Sequence, residues 1–175
     1  ELHHPIEYQN HIFDQLMEAG KEFGIKPYGI RAMNSLRVEK SYKLVGTELS
    51  IEYSPYESGL DRFIHPNKGD FIGRAALDKW RAKGFSNKLV TMEIHGVTDA
   101  DVLGNNPIYD NGSVVGRATS GDFGFRLNKS IALGMVKPEL AKVGQKLKID
   151  ILGKMHEASI VEESPYDSEN KLLRA

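Results

Sequence analysis

Three groups of residues in this sequence have types and spacings that could do chemistry. The first is Glu39, set in Arg37-Val38-Glu39-Lys40. An ionised carboxylate takes two parallel charge-assisted hydrogen bonds in fixed geometry. Facing a cavity, Glu39 would therefore orient a ligand that presents two adjacent N–H donors. It stands at the end of a helical stripe, where the dipole makes a carboxylate costly without a partner. The plainer alternative is a solvated Glu39 paired with Arg37 or Lys40, and composition does not choose between them. The second group is His3, His4, Glu7 and His11. Three such groups can bind zinc, but a tight site needs convergent geometry and a supporting outer shell. They read as solvated residues on an exposed helix end, and no metal is expected. The third is Asp122-Phe123-Gly124, which mimics the magnesium-binding triplet of protein kinases. Without a glycine-rich phosphate loop, a His-Arg-Asp loop or an Ala-Pro-Glu element it reads as a turn.

The remaining composition removes whole classes of function. The 175 residues carry 23 Lys and Arg against 24 Asp and Glu, a net charge of −1. That balance gives no basic surplus for a nucleic-acid partner. With no Cys there is no disulfide framework, thiol nucleophile, Cys-ligated zinc or iron–sulfur cluster, and a reducing compartment is compatible. No run approaches the ~18 apolar residues of a membrane span. There is no nucleophile elbow or P-loop. The chain starts at Glu1 rather than Met, so a fragment of a longer protein is expected.

The elements that would position these residues follow from periodicity. Pro5 suits a first helical position, and Tyr8, Ile12, Leu16 and Ala19 share one face, with Gly20 as the stop. A second helix is expected from about Tyr28 to Arg37, with Ala32 and Leu36 on its apolar stripe. The stretch from Lys40 to Ile64 reads as short strands and loops. A third helix, Gly73 to Lys83, should bury Leu77 and Trp80 and end at Gly84. After Lys88 the texture changes to short β-branched runs: Leu89–Ile94, Val114–Ala118, Ile131–Val136, Leu147–Leu152 and Ala158–Val161. Turn residues separate them, at Gly104 to Pro107, Asp110 to Gly112, Pro138, Gly144 and Gly153. This spacing predicts an antiparallel β-barrel of about five or six strands. The fold class is α+β: a helix-bearing segment, residues 1–87, followed by a barrel, residues 88–175. Asp167 to Ala175 should form a polar tail.

Longer stretches carry a family resemblance. Gly29-Ile30-Arg31-Ala32-Met33-Asn34-Ser35-Leu36-Arg37-Val38-Glu39-Lys40, Pro55-Tyr56-Glu57-Ser58-Gly59-Leu60 and Asp70-Phe71-Ile72-Gly73-Arg74-Ala75-Ala76-Leu77 resemble the glycine-cleavage T-protein (aminomethyltransferase) superfamily. Pro107-Ile108-Tyr109, Gly116-Arg117-Ala118-Thr119-Ser120-Gly121 and Leu133-Gly134-Met135-Val136 are similar to its C-terminal barrel. Lys40 stands where T-proteins usually have Ala, and Asp122-Phe123-Gly124-Phe125 replaces their usual Ser-Pro. The ending Glu163 to Lys171 is similar to the tails of dimethylglycine and sarcosine dehydrogenases.

The resemblance implies the C-terminal, tetrahydrofolate-binding portion of an FAD-dependent flavoprotein. In such proteins the flavin domain lies in the N-terminal part of the same parent chain. There an N-methyl group is oxidised to an iminium, and the folate module captures the carbon as 5,10-methylenetetrahydrofolate. It also implies the folate-binding residues: Glu39 on the pterin ring, Lys68 at the anionic end, and Tyr166 lining the cavity. The family's catalytic Asp belongs to a preceding segment, so no catalytic residue is expected here and the isolated chain should be inactive. Val45 stands where an aromatic is usual. A cytoplasmic setting is implied, or the mitochondrial matrix in a eukaryote, with no membrane partner. The alternatives are a lipoyl-protein-dependent aminomethyltransferase of the glycine cleavage system, and a non-catalytic folate-binding or docking domain.

Overall fold

A computed structural model describes residues 1–97 and 99–175. By its contacts the chain divides into two compact units, Glu1–Met33 and Asn34–Ala175. The first unit opens with a 3-10 turn at Ile6–Tyr8 and continues as helix α1, Gln9–Ala19. Pro5 sits at the entry, as its fixed φ favours. Gly20 ends the helix in a right-handed conformation, and the left-handed residue falls later, at Gly24. Phe13 and Leu16 on α1 are about half exposed.

Helix α2, Ile30–Glu39, runs across the division between the units. Its buried residues are Ser35, Arg37, Val38 and Glu39, while Leu36 stays 40% exposed. The expected Ala32–Leu36 stripe is therefore not the inward face. Polar side chains go inside here because each finds hydrogen-bond partners on the barrel, which removes the cost of desolvating them. The short strands expected between Lys40 and Ile64 are absent. That segment is a series of turns with a single bridge, Val45 to Leu49. One turn is a reciprocal cap: the Ser54 hydroxyl accepts from the Glu57 N–H, and Glu57 Oε2 accepts from the Ser54 N–H and hydroxyl. This is the Ser-x-x-Glu box that usually opens a helix. Glu57 Oε1 also accepts the N–H groups of Ser86 and Asn87, tying this turn to the entry of the barrel. Helix α3, Arg74–Lys83, leaves Trp80 36% exposed, so the expected burial of that side is not found.

Six antiparallel strands close into a barrel in the order β1-β4-β3-β2-β5-β6. They are β1 Lys88–Ile94, β2 Pro107–Asp110, β3 Ser113–Gly124, β4 Lys129–Val136, β5 Lys146–Ile151 and β6 Lys154–Val161. Five were expected from their β-branched runs. The sixth, β2, is short, begins at a proline and carries a register shift, which hides it from pattern reading. The interior is filled by Val90, Met92, Ile94, Ile108, Ile149 and Ile160, among others. Along β4 the alternate residues Ile131, Leu133 and Met135 are buried too, so this strand is covered on both faces.

A bulge in β3 decides what that strand presents. Pairing with β4 jumps from Ala118–Gly134 to Ser120–Leu133. Ala118 points into the core, and regular alternation would send Ser120, Asp122 and Gly124 inward as well. One extra residue reverses the phase. Those three positions consequently meet α2 outside the barrel.

Candidate functional site

The end of α2 is seated on β3 by residues that alternate along the strand. Asn34 Nδ2 donates to Asp122 Oδ2 at 2.7 Å and to the Gly121 carbonyl at 3.2 Å. The Ser35 hydroxyl donates to the Phe123 carbonyl at 2.6 Å. Gly124 admits Glu39, since a Cβ there would lie 2.9 Å from its Cγ and 3.0 Å from its Oε1. The Asp-Phe-Gly triplet is thus the end of a strand and a docking strip for α2, not the turn the sequence indicated.

Beneath Glu39 lies a buried ionic knot. Arg37 donates to Glu48 Oε2 (3.3 Å), the Ser120 hydroxyl (2.6 Å), the Tyr42 carbonyl and Asn34 Oδ1. Glu48 is fully buried and also accepts from the Ser120 and Thr47 hydroxyls and the Leu44 N–H. Burial by itself pushes the Glu48 carboxyl up, but the bonds from Ser120, Leu44 and Thr47 outweigh it and hold the group below the ordinary glutamate value. Sequence reading did not find Arg37, Glu48 and Ser120 as a set. Arg37 and Ser120 each fall in a family-like motif, but Glu48 falls in none, and it is 72 residues from Ser120.

Glu39 is 1% exposed. Neither Arg37 nor Lys40 pairs with it, so the solvated-pair alternative does not hold. Its Oε1 accepts the N–H groups of Arg126 (2.7 Å) and Leu127 (3.2 Å), which offsets the dipole cost of its position. No hydrogen bond within the described residues uses Oε2. The Glu39 carbonyl accepts the Tyr166 N–H at 3.1 Å, and the Arg126 guanidinium lies 5.0 Å from the Tyr166 ring centre. Glu39 and Tyr166 are therefore brought together. Lys68 is not joined to them by any hydrogen bond or ion pair. It is exposed on the 3-10 turn Pro66–Lys68, with its ammonium 4.6 Å from the Phe71 ring centre. Val45 is exposed. Among the described residues no three His, Asp or Glu side chains converge as a metal site, and no helix is long and apolar enough to cross a membrane.

Two unusual sequence features turn out to be one structural feature. Lys40 Nζ donates to the Asp167 carbonyl (2.6 Å) and Asn170 Oδ1 (2.7 Å) and pairs with the Asp167 carboxylate. The Ser164 hydroxyl donates to the Lys40 carbonyl, and its N–H to Ser41 Oγ. The tail is thus held against the end of α2 by polar contacts. Hydrogen bonds to a charged group contribute about 1.5–3 kcal/mol each. Lys40→Met should therefore raise local opening of the tail about tenfold or more while leaving the barrel's unfolding midpoint unchanged. Trypsin cleavage after Lys171, timed by mass spectrometry, reads this, and equal rates in both proteins would refute it.

Comparison with known proteins bears on this arrangement. Residues 87–167 match the family model described as the glycine cleavage T-protein C-terminal barrel domain, and residues 1–68 match the GCVT N-terminal domain. Mitochondrial dimethylglycine dehydrogenase of Homo sapiens is 40% identical over 164 residues, which are 93% of this chain and 19% of that protein. An aminomethyltransferase of Synechocystis is 39% identical over 158 residues, 90% of this chain and 42% of that protein. The chain therefore spans less than half the length of these relatives. The crystal structure of glycine cleavage system aminomethyltransferase T from Bartonella henselae superposes with a TM-score of 0.79 at 23% identity. The match covers 94% of this chain and 45% of that one.

Proposed function

Since the chain belongs to the glycine cleavage T-protein superfamily, we propose that it is the C-terminal, tetrahydrofolate-binding portion of an FAD-dependent dimethylglycine or sarcosine dehydrogenase. In this reading it captures the oxidised N-methyl carbon as 5,10-methylenetetrahydrofolate. The observation that carries it is the state of Glu39. One carboxylate oxygen is fixed by two backbone N–H groups, and the other has no hydrogen-bond partner among the described residues. That donor-free oxygen fits a ligand edge rich in N–H groups, as the pterin ring of a folate is.

Each residue then has a defined task. Arg126 and Leu127 hold the Glu39 carboxylate in one orientation, and Gly124 gives it room. Orientation is the contribution to catalysis, because a folate nitrogen held near the electrophilic carbon reacts as if at very high local concentration. Tyr166 supplies an aromatic wall beside it, and Lys68, with no carboxylate partner among the described residues, meets the anionic end of the folate. Because Glu39 is 1% exposed, entry of the ligand requires the segments around it to open. FAD, bound by a preceding part of the parent protein, supplies the oxidation. The isolated chain is proposed to lack turnover, since none of these residues serves as the acid or the oxidant. The expected setting is the cytoplasm, or the mitochondrial matrix in a eukaryote.

Titration of tetrahydrofolate into the protein encoded by the complete reading frame tests the reading. Saturable one-site binding is expected, together with a fall in formaldehyde released per dimethylglycine oxidised. Absence of binding would refute it. A lipoyl-dependent aminomethyltransferase is the second reading, favoured by the 39% identity to a protein named as an aminomethyltransferase. It predicts folate binding without amine-dependent flavin reduction.

A further inference from the structure

Away from Glu39, the turns at residues 41–62 and strands β1 and β6 enclose a cleft of about 310 Å³. Glu39, Lys68 and Tyr166 do not line it. Its floor is apolar, formed by Leu89, Val90 and Ile160 among others, and its mouth is charged. Lys43 is the informative residue. Its side chain is only 8% exposed, yet its ammonium pairs at 2.5 Å with Glu163, which is 56% exposed. The Lys43 stem passes over Gly59, where a Cβ would meet Cε at 3.6 Å and where φ is +67°. The lysine is therefore fixed by the fold, while its counter-ion is a solvated side chain on the tail. Arg62 shares the cleft; its guanidinium lies over the Phe63 ring and has no carboxylate partner among the described residues.

A buried, positioned cation with an exchangeable partner, beside an apolar floor, is a binding arrangement. Ligand pockets characteristically combine an apolar lining with a few placed polar groups, at volumes from about 300 Å³ upward. We propose that this cleft binds a small amphipathic carboxylate. Its apolar body lodges against Leu89, Val90 and Ile160, and its carboxylate replaces Glu163 on Lys43, with Arg62 beside it. A phosphate or other fully polar anion would leave the apolar floor unused, and a neutral alcohol would leave Lys43 with Glu163. The exchange breaks no covalent bond, and it is independent of the folate reading.

Hexanoate is a suitable probe, with hexanol and acetate as its body and its head alone. In methyl NMR titrations of the 175-residue chain, hexanoate should shift the resonances of Leu89, Val90 and Ile160 with a Kd on the order of millimolar. Hexanol and acetate should bind about tenfold more weakly or worse. Glu163→Gln removes the competing carboxylate from an exposed site and should tighten hexanoate severalfold. Lys43→Met should abolish the preference for hexanoate over hexanol. Equal response to all three probes would overturn the assignment, and so would hexanoate affinity untouched by Glu163→Gln. Should Lys43→Met fail to fold, the Glu163→Gln comparison still decides.

Discussion

Glu48→Ala should cost about 3–5 kcal/mol of stability, the loss typical of removing one partner from a buried ion pair. Arg37 would keep its bonds to Ser120, Tyr42 and Asn34 but would remain a buried cation without a counter-charge. The Ser120 and Thr47 hydroxyls and the Leu44 N–H would lose their common acceptor as well. Chemical denaturation monitored at Trp80 and by far-ultraviolet circular dichroism reads the loss. A cost under about 1 kcal/mol would mean the pair behaves as a surface bridge. Replacing both members, Arg37→Met with Glu48→Leu, should recover much of the loss, because a matched apolar pair leaves no orphaned charge. The sign of the pH dependence follows from the same site. The folded Glu48 carboxyl lies below its ordinary value of 4.5, and Glu57 behaves likewise: burial raises it, but its bonds from Ser54, Asn87 and Ser86 outweigh that and hold it lower. Both contribute stability that is complete above about pH 4.5 and disappears as pH falls through the lower folded values. Wild-type stability should therefore decline on acidification in that range, and the decline should be shallower in Glu48→Ala.

Glu39→Gln should weaken tetrahydrofolate binding by one to three orders of magnitude in the protein that contains the whole reading frame. The substitution is clean because the amide oxygen can still accept from Arg126 and Leu127, so the loop stays in place. The other carboxylate oxygen becomes an NH₂ that faces the ligand's donors. Truncating one partner of a buried charged pair typically costs about 2–5 kcal/mol, and each 1.4 kcal/mol is about tenfold in affinity. Flavin reduction by the amine should be unchanged, since that chemistry is proposed to lie in another part of the protein. Formaldehyde release should rise as capture fails. Unchanged folate affinity would remove Glu39 from the site and leave its role as the anchor of the loop at Arg126 and Leu127.

The barrel was legible because its strands are β-branched runs bounded by glycine, asparagine and proline, and such runs have few other stable uses. Strand β2 was not, because four residues starting at Pro107 give no alternation to read. Helix α2 was found but turned the wrong way. Periodicity assigns the inward face to apolar residues, and this helix buries Ser35, Arg37 and Glu39 because β3 supplies their partners. The Asp-Phe-Gly triplet was misjudged for the same reason: its use lies in Asn34, Ser35 and Glu39, which are distant in sequence. Glu39 was legible only through the motif around it. The pairing of Lys40 with the tail could have been suspected, since both depart from the T-protein pattern, but only the fold joins them.

The bonds that fix Glu39 in place connect residues 87 and 88 positions apart in the chain. Closing so long a segment carries an entropic penalty that nothing local repays, and topologies dominated by distant contacts are slow to fold. The loop at Arg126 and Leu127 is the turn that joins β3 to β4, next to the Gly124–Lys129 pair. Helix α2 docks on Ser120, Asp122 and Gly124, which face it in the bulged register. The register that fills the barrel and the register that gives the carboxylate its seat are therefore one choice: a slip of one residue would turn Ser120, Asp122 and Gly124 back toward the interior and leave α2 nothing to dock on.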